Sequence, residues 1–130
     1  MSETLVPKDL KYTKTHEWLK IEGDTAIIGI TDYAQKELSD IVYVDLPEPG
    51  KTLSQGDVLG TIEAVKSVSD FYTPISGAIL ESNQVLKTTP ALVNKEPYGK
   101  GWMVKIKVSN SSELSGLLSA EDYEKITIAH

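Results

Sequence analysis

GTIEAVKSVSDFYTPISGAI, residues Gly60 to Ile79, reads as two extended segments with a single lysine between them. Val65 and Val68 favour extended backbone on either side of Lys66. The tip carries neither the Asn-Gly nor the Gly-Gly pair that a tight hairpin prefers. Lys66 is also the only positive side chain between Lys51 and Lys87, in a chain with 13 lysines. Something other than turn energetics has chosen these residues.

The flanks support a β reading. GKTLSQGDVL, from Gly50, aligns without gaps on GAILESNQVL, from Gly77, with Gly, Leu, Val and Leu coinciding. Gly56 falls opposite Asn83, and glycine and asparagine are the residues that most readily turn left-handed. Two β-turn-β units on either side of Lys66 imply a small sandwich or barrel with quasi-two-fold symmetry. Lys66 then sits at a hairpin tip near the pseudo-axis.

Upstream, Glu17–Ile21 and Thr25–Ile30 form a strand pair joined by Glu22-Gly23-Asp24. Thr31 caps a short helix, Asp32 to Leu38, whose Ala34 and Leu38 face the core. Ile41 to Leu46 is β-branched and aromatic, and Pro47-Glu48-Pro49-Gly50 ends it. Leu114, Leu117 and Leu118 have helical spacing. Ser119-Ala120-Glu121-Asp122 resembles a capping box, with Leu118 and Tyr123 as a hydrophobic staple, so two short helices break near Ser119. The expectation is one mainly β domain over 1–130, with a core of 15–108 and a helical segment of 111–128.

Bulk properties exclude several functions. The 130 residues are 40% apolar and 25% charged, which suits a globular domain. A net charge of −6 without any arginine disfavours nucleic-acid recognition. Cysteine is absent, so thiol catalysis and disulfides are excluded, and sulfur redox chemistry requires an attached group. No apolar run is long enough to cross a bilayer, and the first residues resemble neither signal nor transit peptide. The chain reads as cytoplasmic; a processed form in the mitochondrial matrix would look similar.

Catalytic signatures are missing too. There is no phosphate-binding Gly-x-x-x-x-Gly-Lys-Ser/Thr loop and no Gly-x-Ser-x-Gly elbow. His16 and His130 do not make a metal site without carboxylate help. Lys66, between Glu63 and Asp70, admits two readings. It is either a solvated lysine blunting a sheet edge or a long primary amine carrying a covalent cofactor on a rigid tip.

A resemblance separates these readings. Glu63-Ala-Val-Lys-Ser-Val-Ser-Asp-Phe-Tyr-Thr-Pro-Ile-Ser-Gly77 resembles the lipoylation hairpin of glycine cleavage system H proteins. Lys11-Tyr12, His16-Glu17-Trp18, Gly29 to Gln35, Asp40 to Pro47, Leu92-Val93-Asn94 and Pro97 to Met103 are similar to that family's other blocks, in order. Methionines do not flank Lys66 as in biotin carriers. No Asp-Lys-Ala or Ala/Pro-rich linker marks a 2-oxo-acid dehydrogenase lipoyl domain.

The resemblance implies a lipoyl-type flattened barrel, or barrel-sandwich hybrid, with lipoate in amide linkage to Lys66. It implies that Glu63 and Gly77 guide the attaching enzymes: a lipoate ligase, or an octanoyl transferase with a lipoyl synthase. The implied role is that of a carrier and not an enzyme. An aminomethyl group from glycine is loaded by a pyridoxal-phosphate glycine decarboxylase and taken by a tetrahydrofolate-dependent aminomethyltransferase. A dihydrolipoamide dehydrogenase using FAD and NAD then restores the disulfide. The family's cleft for the loaded arm maps onto Thr15, Glu17, Ile30, Leu38 and Asp70. Burying an ammonium there requires a carboxylate to offset its desolvation. The alternative role is an H-like protein that donates lipoyl groups to other enzymes.

Overall fold

The computed structural model describes residues 6–128. Chain order begins with β1 (Lys11–Tyr12), β2 (Glu17–Glu22) and β3 (Thr25–Ile30), then α1 (Asp32–Leu38) and β4 (Ile41–Asp45). β5 (Thr52–Leu53), β6 (Val58–Ala64), β7 (Val68–Tyr72) and β8 (Gly77–Ser82) follow. Two single-turn helices, α2 (Val85–Thr88) and α3 (Leu92–Lys95), precede β9 (Val104–Val108). A 3₁₀ segment (Ser111–Gly116) and α4 (Ala120–Ile128) close the described chain.

Two antiparallel sheets face each other, one with order β1-β2-β3-β9-β8-β5 and one with order β4-β6-β7. Their inner faces supply one core, with Leu19, Ile28 and Ile106 from the first and Val44, Ile62 and Phe71 from the second. The sheets do not close on each other, which gives a flattened barrel-sandwich.

The outer face of β1 and β2 is covered as well. Tyr12 and Trp18 form a second cluster with Ala120 and Tyr123 of α4, so β2 loses its in-out alternation at Glu17-Trp18-Leu19. The first hairpin turns on Gly23-Asp24, with Gly23 at φ +64° and Glu22 paired to Thr25. Thr31 caps α1 by accepting the Ala34 N–H at 3.2 Å, and Ala34 and Leu38 pack on the core.

The internal repeat is kept at its start and lost beyond its turn. The two glycine-led copies pair with each other at their starts, Thr52 with Ala78 and Leu53 with Gly77. They then diverge. Gly56 turns at φ +91°, but among the described non-glycine residues only His16 and Ser39 have positive φ, so Asn83 does not turn that way. Its buried amide donates to the carbonyls of Lys100 (2.9 Å) and Trp102 (2.7 Å), and the chain enters α2 in place of a strand. Leu86 therefore reaches the core from a helix, where its counterpart Leu59 does so from β6.

The C-terminal break near Ser119 is present, although its first half is 3₁₀ and not α-helical. Ser119 Oγ accepts the Asp122 N–H at 3.2 Å, and Leu118 packs with Tyr123. Among the described residues, no helix is long and apolar enough to cross a membrane.

Candidate functional site: a lysine tip and the cleft beside it

The β6–β7 hairpin presents Val65-Lys66-Ser67 at its tip. The Ala64 N–H donates to the Ser67 carbonyl at 2.8 Å, and the Val65 N–H donates to the Asp40 carbonyl at 3.0 Å. The tip is therefore held to its own base and to the start of β4. The side chains of Val65, Lys66 and Val68 are all exposed, Val65 by 70%. Among the described residues Lys66 has no ion pair; neither Glu63 nor Asp70 reaches it.

Glu63 is exposed on β6, in a cross-strand row with Tyr43 and Val68. A register shift between Ile41 and Tyr43 leaves both Val42 and Tyr43 outward. Gly77 lies elsewhere, buried between β5 and β9. A Cβ there would stand 1.9 Å from the Lys107 carbonyl oxygen, so close strand approach alone requires glycine.

Immediately past the tip, β7 floors a cleft of about 350 Å³. Thr15, Glu17, Ile30, Leu38 and Asp70 all line it, although they come from five separate elements and loops. Sequence reasoning missed other walls: His16, Tyr33 and Glu37 at one side, Ser69 and Phe71 along β7. Tyr33 had no assigned role, yet its ring lies 4.7 Å from that of His16. Nothing in the one-dimensional pattern pairs these two residues.

Glu17 is the chemical centre of this cleft. It is 1% exposed. One carboxylate oxygen accepts from the hydroxyls of Thr13 (2.6 Å) and Thr15, and the other accepts the Tyr72 N–H at 3.2 Å. These contacts tie the β1–β2 turn and β2 to β7, bridging the two sheets. No cation pairs with Glu17 among the described residues. Burial pushes its carboxyl above the usual range, while the three hydrogen bonds pull the other way. An incoming cation would meet a desolvated carboxylate already held in place.

Asp70 differs: it is exposed at the rim and accepts from Thr61 Oγ1 at 2.9 Å. A second cavity of about 490 Å³ shares Thr15 and Glu17 and continues past Tyr72 towards Leu117 and Leu118. His16 Nδ1 lies 2.8 Å from the Tyr123 hydroxyl, and the described residues hold no cluster of three or more metal-ligating side chains. His130 lies outside the described residues.

Residues 10–130 match the family model described as glycine cleavage H-protein. The chain belongs to that family. It is 54% identical over 123 residues to the glycine cleavage system H protein of Carboxydothermus hydrogenoformans, covering 95% of each chain. The Bacteroides fragilis protein of the same name is 51% identical over 123 residues, 95% of this chain and 98% of that one. A crystal structure of a glycine cleavage system H protein from Mycobacterium marinum superposes with a TM-score of 0.87 at 38% identity. That match covers 94% of this chain and 98% of the other. Family members are carriers, not enzymes, and hold lipoate covalently on a lysine. This chain is accordingly a lipoyl carrier that works with components of the glycine cleavage system.

Proposed function

We propose that Lys66 is the lipoylated lysine and that the cleft along β7 receives and shields the aminomethyl cargo, with Glu17 as its counter-ion. The observation that carries this reading is spatial. The cleft begins at Ser69, three residues beyond Lys66 on the same hairpin, and ends on a buried carboxylate with no ion-pair partner among the described residues. When bound, the lipoyl group supplies a disulfide that accepts the aminomethyl unit and is later restored by oxidation of the dithiol.

The chain's own residues do the rest. The two backbone hydrogen bonds of the tip point Lys66 into solvent, where partner enzymes reach it. Ile30 and Leu38 form apolar wall and exclude water from the cargo. Glu17 offsets the desolvation of the cargo's ammonium, Thr15 holds that carboxylate, and Asp70 attracts the cation at the rim. Glu63, exposed beside the tip, is read directly by the attaching enzymes, lipoate ligase or octanoyl transferase followed by lipoyl synthase. Gly77 acts on recognition only through the fold, by letting β8 pack closely between β5 and β9.

The successive partners are a pyridoxal-phosphate glycine decarboxylase, a tetrahydrofolate-dependent aminomethyltransferase and a flavin- and NAD-dependent dihydrolipoamide dehydrogenase. The setting is the cytoplasm. Intact mass of protein from its native host, with peptide mapping across Gly60 to Ile79, tests the lysine. One lipoyl group on Lys66 supports the reading, and a bare Lys66 from lipoate-replete cells sinks it. Glu17→Ala tests the cleft: lipoylation should survive while cargo is lost at least about tenfold faster, the worth of one charged hydrogen bond. Equal cargo lifetimes would remove Glu17 from the role.

A further inference from the structure

Four atoms link the cleft to the C-terminal helix. The Ala34 N–H donates to Thr31 Oγ1 at 3.2 Å; Thr31 Oγ1 lies 2.7 Å from the Tyr123 hydroxyl, and that hydroxyl lies 2.8 Å from His16 Nδ1. Thr31 and Tyr123 are both fully buried. Each hydroxyl has one hydrogen to place.

Among the described residues, Tyr123 offers the sole acceptor near the Thr31 hydroxyl, whose other contact is a donor. Thr31 must therefore donate to Tyr123, and Tyr123 must donate to His16 Nδ1. The reverse direction would leave the Thr31 hydrogen buried without an acceptor, a costly arrangement. Burial also pushes the Tyr123 hydroxyl's pKa upward, which keeps its proton in place.

Only one histidine tautomer completes this chain: unprotonated Nδ1 with the proton on Nε2. His16 is tied to the helix cap twice, since its carbonyl also accepts the Thr31 N–H at 3.0 Å. Its backbone is left-handed, at φ +73°, a conformation that needs such external support. The ring forms part of the cleft wall beside Tyr33.

We infer that Tyr123 is a positioning residue of the cleft: its hydroxyl joins the cap of α1 to His16 and fixes that histidine as the neutral Nε2–H tautomer. The charged and titratable groups that share the cleft with His16 or touch its ring include Glu17 on β2, Tyr33 and Glu37 on α1, Asp70 on β7 and Tyr123 on α4. A neutral imidazole leaves the carboxylates to the cargo; an imidazolium would be a rival cation in the same space. The inference rests on the cleft reading above, but its first test does not.

That test is ¹⁵N NMR of the His16 imidazole in the lipoylated, unloaded protein. The expected spectrum shows Nδ1 as a pyridine-type nitrogen and Nε2 as a protonated one. A protonated Nδ1 overturns the inference. Tyr123→Phe retains the ring stacked on Tyr12 (4.8 Å) and removes only the hydroxyl. It should replace the single tautomer by an averaged mixture and speed cargo loss by about fivefold, the equivalent of one neutral hydrogen bond. An unchanged tautomer, or an altered tautomer with unchanged cargo lifetime, overturns the positioning role. Should Y123F fail to fold, Thr31→Ala breaks the chain from its other end and is judged on the same spectrum. Failure of the cleft reading is separate and shows as an unchanged cargo lifetime in Glu17→Ala.

Discussion

Replacing Glu17 by Gln tests how the cleft balances burial against hydrogen bonding. The amide has one acceptor oxygen. It can keep the Thr13 and Thr15 hydroxyls, but its NH₂ then faces the Tyr72 N–H, donor against donor. An orphaned buried N–H costs about 1–3 kcal/mol. Set against this is the wild type's own burden, since burial raises the Glu17 carboxyl's pKa on folding. Between its unfolded value and that raised value, the folded protein binds more protons than the unfolded chain. Glu17 therefore destabilises the wild type progressively as pH rises through this window, and its contribution is flat above it. Gln does not titrate. The stability gap between wild type and variant should be about 1–3 kcal/mol in favour of wild type near pH 4 and should shrink as pH rises. Paired urea unfolding curves from about pH 4 to about pH 8 measure this difference, in which the other carboxylates cancel. A gap that stays constant or widens with pH would show that burial does not raise the Glu17 carboxyl's pKa on folding.

Gly77→Ala places a Cβ 1.9 Å from a backbone oxygen where 3.4 Å is ordinary, so β8 and β9 must part by more than an ångström. A loss of about 3 kcal/mol follows, and lipoylation should fall only with the folded fraction; abolished lipoylation at unchanged stability would mean direct recognition. Ser39, the C-cap of α1, sits at φ +67° and ψ −147°, a region that suits glycine. Ser39→Gly should gain about 1 kcal/mol by thermal or urea unfolding, after its unfolded-state entropy is deducted. At His16, asparagine tolerates the left-handed backbone and can offer an oxygen to Tyr123, so His16→Asn should cost less than about 1 kcal/mol and His16→Ala about 2 kcal/mol. Equal losses in the two variants would show that the hydrogen bond to Tyr123 contributes nothing.

What the sequence revealed depended on range. The hairpins, the Thr31 cap and the Ser119 cap were legible because each is settled within a few residues. The helices α2 and α3 were not, since a single four-residue turn is shorter than any periodicity can register. The repeat misled at Asn83 because two distant carbonyls, of Lys100 and Trp102, decide that residue's conformation. Five cleft residues were named in advance through family resemblance, not spacing. His16, Tyr33 and Tyr123 were missed as a group because a contact across 107 residues leaves no local pattern.

Glu17 combines two demands that ordinarily conflict. As a bridge between the sheets it must be buried and rigidly bonded, and those same bonds hold its charge where water would otherwise solvate it. A neutral residue that packed as well would remove the desolvation cost, so stability alone does not select a carboxylate here. Under the proposed role, cargo does: an ammonium entering the cleft would supply a positive charge that no ion pair among the described residues supplies, and it would meet an acceptor that needs no reorganisation. By linkage, such a cation would draw the Glu17 pKa down and stabilise the fold by the same free energy that its retention gains. On that role the unloaded carrier is the less stable form, and its deficit in stability equals the free energy with which the cleft holds its cargo.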